Sequence, residues 1–121
     1  MSVDMDESDW RRHLGRRWSA QFGGTPFGFA VGDGWDHLLA EVFRRVDAAL
    51  EDDERADFAW SDIKEKWGAL RMTHYGGDRI EDIVDWAEAA SKRICDRCGW
   101  SGRLRSEGGQ WRVRCDACDG L

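Results

Sequence analysis

An α+β fold is predicted: two helices, a β-hairpin and a third helix, continuing into a small four-cysteine ribbon at the C-terminus. Three observations predict it. Residues 34–50 carry one wide apolar stripe at helical spacing, and residues 58–75 alternate apolar and polar side chains in two short runs. All four cysteines stand in two CxxC pairs near the end of the sequence. A chain of 121 residues suits one body, residues 1–93, with an appended module, residues 94–121.

The first helix is expected over about 8–22, where Trp10, Leu14, Trp18 and Phe22 recur every four residues and Ser8 is placed to cap. "GGTPFGFAVGDG" follows with the only proline, Pro26. It has no Gly-Lys-Ser/Thr ending and His37 stands where GxGxxG wants its last glycine, so it reads as a turn rather than a phosphate loop, with Asp33 capping the next helix. That helix, about 34–50, buries Trp35, Leu38, Leu39, Val42, Phe43, Val46 and Leu50. "EDDERAD" breaks the period as a charged loop. Phe58/Trp60, Ile63/Glu65/Trp67 and Leu70/Met72 then give a hairpin over about 58–75 that turns around Gly68. Asp78 and Glu81 read as a capping box opening a third helix, about 78–93, with Ile80, Ile83, Val84 and Ala87 inward. The expected core is Trp35, Leu39, Val42, Phe43, Val46, Ile63, Leu70, Ile83 and Val84, and most of the eight tryptophans should pack in or near it.

Cys95/Cys98 and Cys115/Cys118 lie sixteen residues apart, a spacing expected of a tetrahedral four-cysteine zinc site. Each CxxC turn presents two sulfurs to one ion, and the second turn closes the tetrahedron. Between them Glu107-Gly108-Gly109 signals a hairpin turn, with Trp111, Val113 and Cys115 on one strand face and Arg112 and Arg114 on the other. This is the layout of a zinc ribbon holding one structural Zn2+, too small to fold by burial alone and docked on the body through Trp100 or Trp111. Iron in the quartet and a pair of CxxC redox centres are the competing readings. Redox chemistry wants its CxxC at a helix N-terminus beside a βαβ unit, and four thiolates leave catalytic zinc no open position.

Charge divides the chain. The total is −6, but Ser91 to Leu121 holds seven Lys/Arg against four Asp/Glu, leaving −9 on residues 1–90. An acidic body suits a basic protein partner better than generic nucleic-acid binding. The ribbon's Arg103, Arg105, Arg112 and Arg114 with Trp100 and Trp111 offer the alternative, the mixture of cations and stacking surfaces used on nucleic acid. The acidic N-terminus has no secretory signal and no stretch is long enough to span a membrane, so a cytoplasmic protein with reduced cysteines is expected.

"IKEKWGALRMTHY" is the other segment with character. Lys64 and Lys66 share a strand face opposite Glu65, and Arg71 follows the turn, placed to pair with Glu65 or to join the lysines around an anion. The segment, with Gly34-Trp35, Gly68, Leu70, Ser91 and the two CxxC pairs, resembles a group of small uncharacterised bacterial and phage proteins, in which Phe or Tyr usually stands where this chain has Trp67. That family has no established activity. The resemblance implies a compact zinc-bearing domain, and occurrence in phages would suit an inhibitor or immunity-type role.

Catalytic signatures are thin. There is no GxSxG or HExxH, metal binding would occupy every cysteine, and His13, His37 and His74 are scattered. The reading is therefore a non-enzymatic, zinc-binding protein-interaction module. Nucleic-acid binding or regulation through the basic ribbon is the alternative, and a small hydrolase on the Lys64–Arg71 hairpin, using His74 and Glu65, is a third.

Overall fold

Helix α2 (Asp36–Ala49) is the hub. Its Leu38, Leu39, Val42, Phe43 and Val46 fall at i, i+3 and i+4 spacing and are all buried, so one stripe of the helix meets everything else. The structure, a computed structural model, describes residues 9–25 and 27–119. Ser8 and Pro26, singled out above, lie outside them. The described residues form an α+β fold with four α-helices and two small antiparallel sheets. Among the described residues no helix is long and apolar enough to cross a membrane.

Helix α1 (Asp9–Arg17) is shorter than its stripe predicts; after Trp18 the chain tightens into a 3-10 turn, Ser19–Phe22, and leaves through Gly23 in the left-handed region. The break serves a buried polar group. Gln21 donates to the Phe43 carbonyl and accepts from the Trp60 indole, both at 2.9 Å, so neither buried donor is left without a partner. Around it Phe22, Phe27, Phe29, Phe43 and Trp60 pack with ring centroids 4.9–6.0 Å apart. Asp33 does not cap α2. It opens a 3-10 turn, Asp33–Trp35, and its Oδ1 accepts from the Trp10 indole at 2.9 Å and from the Arg11 guanidinium at 2.8 Å, a charged donor stronger than a backbone amide. "EDDERAD" is not a plain loop either: Glu51 and Glu54 form a capping box on the single turn α3 (Asp52–Arg55), anchored where Arg55 bonds Asp47.

The hairpin pairs β1 (Trp60–Lys66) with β2 (Ala69–His74), Ile63 opposite Met72 and Lys64 opposite Arg71. A two-stranded hairpin is marginal alone, and here both edges are closed. Ala30 bonds β1 through Ile63 and Glu65, at 3.1 and 3.0 Å. On the other edge, α4 (Asp78–Ser91) supplies side chains: Ser91 Oγ accepts from the Leu70 amide and Glu88 from the Met72 amide, each at 3.0 Å. The expected capping box of α4 is absent. Gly77 holds the N-cap position, Asp78 lies within the first turn, and Glu81 reaches His74 instead, at 2.8 Å. Every expected core residue is buried except Ile83, which is half-buried at the edge of the cluster.

A second hairpin, β3 (Arg103–Arg105) against β4 (Arg112–Arg114), pairs Leu104 with Val113 and turns through Glu107–Gly109. Trp100 and Trp111 do not dock it; they are 77% and 44% exposed. Large indoles lose their place there to smaller groups. Val113 and Cys95 are fully buried, Ile94 and Leu104 pack against the core, and the fully buried Trp35 donates its indole N–H to the Ile94 carbonyl at 2.9 Å.

Candidate metal centre and the adjoining groove

Two tight turns carry the four sulfurs. In the first, the Cys95 amide bonds the Trp100 carbonyl at 2.7 Å and the Gly99 amide returns to the Cys95 carbonyl at 3.0 Å; in the second, the Asp119 amide bonds the Cys115 carbonyl at 3.0 Å. The four Sγ atoms lie within 4.8 Å of one another, with Cys98 and Cys115 at 3.7 Å. Four sulfurs at about 2.3 Å from one ion stand roughly 3.8 Å apart in a tetrahedron, so the cluster is shaped to hold a metal ion. Cys95 and Cys118 are buried and Cys98 is exposed, so the centre is open to solvent on one side.

The thiols differ in acidity. Burial opposes charge on Cys95, but the backbone amides of Cys98, Cys115 and Arg97 outweigh it and bring the thiol down to about 6. Burial pushes Cys118 up to about 12, helped by the neighbouring sulfurs. Cys98 is raised as well: the Trp100 amide lowers it, and burial with the sulfurs of Cys95 and Cys115 more than offsets that. Four sulfurs this close cannot all ionise without a cation among them, which is the electrostatic demand that a divalent metal meets.

Two of the candidate binding arginines brace this centre. Arg114 donates to Asp96 at 2.6 Å, their side chains 13% and 14% exposed, and ties β4 to the first cysteine turn. Arg105, buried, bonds Asp116 at 2.6 Å, Asp119 at 2.9 Å and the Arg114 carbonyl at 3.0 Å, closing the second turn on β3. The Arg105 guanidinium holds the Asp116 carboxyl below its usual value. These are orienting contacts behind the ligands rather than surface cations. Arg112 bonds Gln110 at 2.6 Å, and Arg103 projects from β3 into solvent.

Two body segments seat the ribbon. The Gly34 amide bonds the Asp96 carbonyl at 2.9 Å, and a Cβ on Gly34 would sit 2.1 Å from the Cys95 carbonyl oxygen. At the other end the hairpin turn presses against β4: a Cβ on Gly68, at φ +86°, would meet Leu104 at 2.7 Å and the Arg112 amide at 2.9 Å. The glycine-rich connector and the hairpin turn are thus the two cradles of the four-cysteine module.

The remaining hairpin candidates scatter. Lys64 pairs with Asp62 at 3.1 Å. Glu65 accepts from the Gly68 amide at 2.7 Å and stabilises the turn instead of meeting Arg71. His74, its side chain 5% exposed, stacks on Phe58, accepts from the Gly76 amide at 2.9 Å on Nδ1 and donates from Nε2 to Glu81. His37 is exposed on α2, far along the chain from these groups.

Lys66, Arg71 and Trp111 do come together, with residues that the sequence reading left out of the site: Trp67, Lys92 and Leu104. They line an open groove of about 380 Å³ between the hairpin tip, the end of α4 and the ribbon. No carboxylate lines it, and Lys66, Arg71 and Lys92 have no ion-pair or hydrogen-bond partner for their charged heads among the described residues. Trp67 is 68% exposed at φ +56°, the first of two left-handed residues in the turn. Such turns favour Asn-Gly, so Trp-Gly at that point was the legible signal.

No protein-family model, curated protein sequence or solved structure matches this chain.

Proposed function

We propose that the chain is a non-enzymatic interaction module in which one Zn2+, held by Cys95, Cys98, Cys115 and Cys118, fixes the ribbon against the body and so shapes a binding face between them. Four thiolates at tetrahedral spacing suit zinc and leave no coordination position for a substrate, which favours a structural over a catalytic ion. Both ring nitrogens of His74 are engaged and its side chain is covered, which counts against the hydrolase reading.

The observation that carries the binding half is Trp67. A bulky residue held at positive φ costs roughly 1–3 kcal/mol, and this one leaves most of its indole in solvent, where packing returns little. Strain kept at an exposed aromatic beside three cations that have no partner among the described residues marks a surface used for contact. Trp67→Gly tests this, since glycine adopts the same backbone without strain. The variant should unfold at equal or higher urea concentration than the wild type, with one zinc per chain by metal analysis in both. A destabilised variant would assign Trp67 to the fold, and metal-free protein with intact structure would remove the clamp.

A second reading keeps the acidic body and a basic protein partner, of the inhibitor or immunity type. Its best place is the cleft of about 540 Å³ between α3 and α4, lined by Asp53, Asp57 and Asp78 with exposed Tyr75 at the rim. Asp53→Asn with Asp57→Asn would weaken capture of such a partner and leave the groove untouched.

A further inference from the structure

From the groove between hairpin tip and ribbon we infer that its ligand is single-stranded nucleic acid, an inference resting on the binding face proposed above. Three features select the ligand class. Lys66, Arg71 and Lys92 surround the groove from β1, β2 and the end of α4 with no carboxylate among the lining residues, in a chain whose total charge is −6. Trp67 and Trp111 offer two indoles, 68% and 44% exposed, at the same groove. Its volume of about 380 Å³ admits a nucleotide or so and cannot hold a duplex.

Cations alone would suit any polyanion, and indoles alone any apolar partner. The two interleaved suit a chain that alternates phosphates with flat rings, and the rings must be unpaired to stack. An acidic peptide would satisfy the cations and leave both indoles without a matching face. The acidic surfaces of the body act against phosphate only at long range and are screened beyond roughly 8–10 Å at moderate salt.

The groove also accounts for the charge arrangement of the hairpin. Lys64 and Arg71 stand directly opposite in the register, a like-charge pairing that destabilises a sheet, and among the described residues only Lys64 has an acidic partner. Arg71 is thereby left on the strand face that carries Lys66. A ligand phosphate removes that repulsion.

The test is fluorescence anisotropy of the full, zinc-loaded chain with labelled oligothymidylate, with an abasic phosphodiester strand of equal length and with a glutamate-rich peptide of equal charge. Oligothymidylate should bind, with log affinity falling against log salt at a slope between about −0.7 and −2, roughly 0.7 for each phosphate the three cations engage. Trp67→Gly should weaken it roughly tenfold or more, toward the level of the abasic strand, because one of the two stacking surfaces is gone. Lys66→Gln with Lys92→Gln, both exposed substitutions that leave the fold intact, should flatten the salt slope. Failure of oligothymidylate to bind at low salt, or equal binding by wild type and Trp67→Gly, overturns the inference. Should the acidic peptide bind in a Trp67-dependent way while the oligonucleotide does not, the nucleic-acid inference falls and the binding face stands. Should neither probe respond to Trp67→Gly, both fall.

Discussion

Trp35→Phe separates the packing of the body from the seating of the ribbon. Trp35 is fully buried, and its indole N–H crosses from the start of α2 to the Ile94 carbonyl at 2.9 Å, one residue before the first cysteine. Phenylalanine keeps most of the apolar contact and is roughly 40 Å³ smaller, which at ~24 cal/mol per Å³ of residual cavity costs about 1 kcal/mol. It also leaves the Ile94 carbonyl without this donor, worth about 1–3 kcal/mol while that carbonyl stays buried. With metal bound, the sum is about 2–4 kcal/mol. With the metal chelated and the ribbon loosened, water reaches the Ile94 carbonyl and only the cavity remains, about 1 kcal/mol. Urea unfolding of wild type and variant, each with excess zinc and with chelator, closes a thermodynamic cycle whose coupling is the difference. Linkage then requires the variant to hold zinc more weakly by the same factor. Equal costs in the two metal states would refute the reasoning, because the ribbon would then be seated whether or not the thiolates are bridged.

Three further outcomes follow from the same geometry. Gly34→Ala should cost about 1–3 kcal/mol and speed loss of zinc to a chromophoric chelator, since the new methyl would stand 2.1 Å from the Cys95 carbonyl oxygen, a backbone atom that cannot swing aside. Arg114→Gln should destabilise the ribbon by about 3 kcal/mol, leaving Asp96 covered without its cation; adding Asp96→Asn should restore part of that, and strictly additive unfolding energies would show the pair to be uncoupled. Arg44 and Arg45 hold Glu41 down to about 2, below its usual 4.5, so its contribution to stability is complete above about pH 4.5 and fades as pH falls toward 2. Glu41→Gln should therefore unfold at lower urea than wild type at pH 6 and match it near pH 2, and a gap that persists in acid would sink the assignment.

Legibility from sequence followed the range of the interactions. The apolar stripe of α2 and the alternation in β1 and β2 are local patterns with one strong period each, and burial enforces them. The cysteine pairs were legible because four ligands to one ion need so specific a spacing. Caps were not legible. Asp33 and Glu81 stand where capping residues stand, but each had a partner distant in sequence, Arg11 with Trp10 for one and His74 for the other, and a charge-assisted or ring hydrogen bond prevailed over an amide. The ribbon arginines failed for the same reason. Alternation places Arg112 and Arg114 on one face, but nothing local says that Asp96, eighteen residues back, waits for Arg114 alone. The groove was the hardest to see, since its cations come from β1, β2 and α4 and its indoles from a turn and the ribbon.

The position of Gly68 joins the four-cysteine ribbon to the groove. Its backbone lies against the Trp111–Arg112 segment so closely that a single added carbon would meet Leu104, Trp111 and Arg112 at 2.7–3.0 Å, while the preceding residue is the strained Trp67. Trp111 and Trp67 are therefore neighbours only while the ribbon is seated, and a ribbon whose β3 and β4 are three residues each would depend on the proposed ion at its four cysteines for its shape. Chelation should thus weaken oligothymidylate binding even though no cysteine lines the groove, whereas Trp67→Gly should weaken binding without loosening zinc. By linkage, a ligand that engages both Trp67 and Trp111 must also tighten zinc binding at equilibrium by the factor by which zinc strengthens its own binding. Measuring that factor from both sides in one buffer decides whether the metal shapes the face or merely resides beside it: a factor of one would mean that the face forms whether or not the thiolates hold an ion.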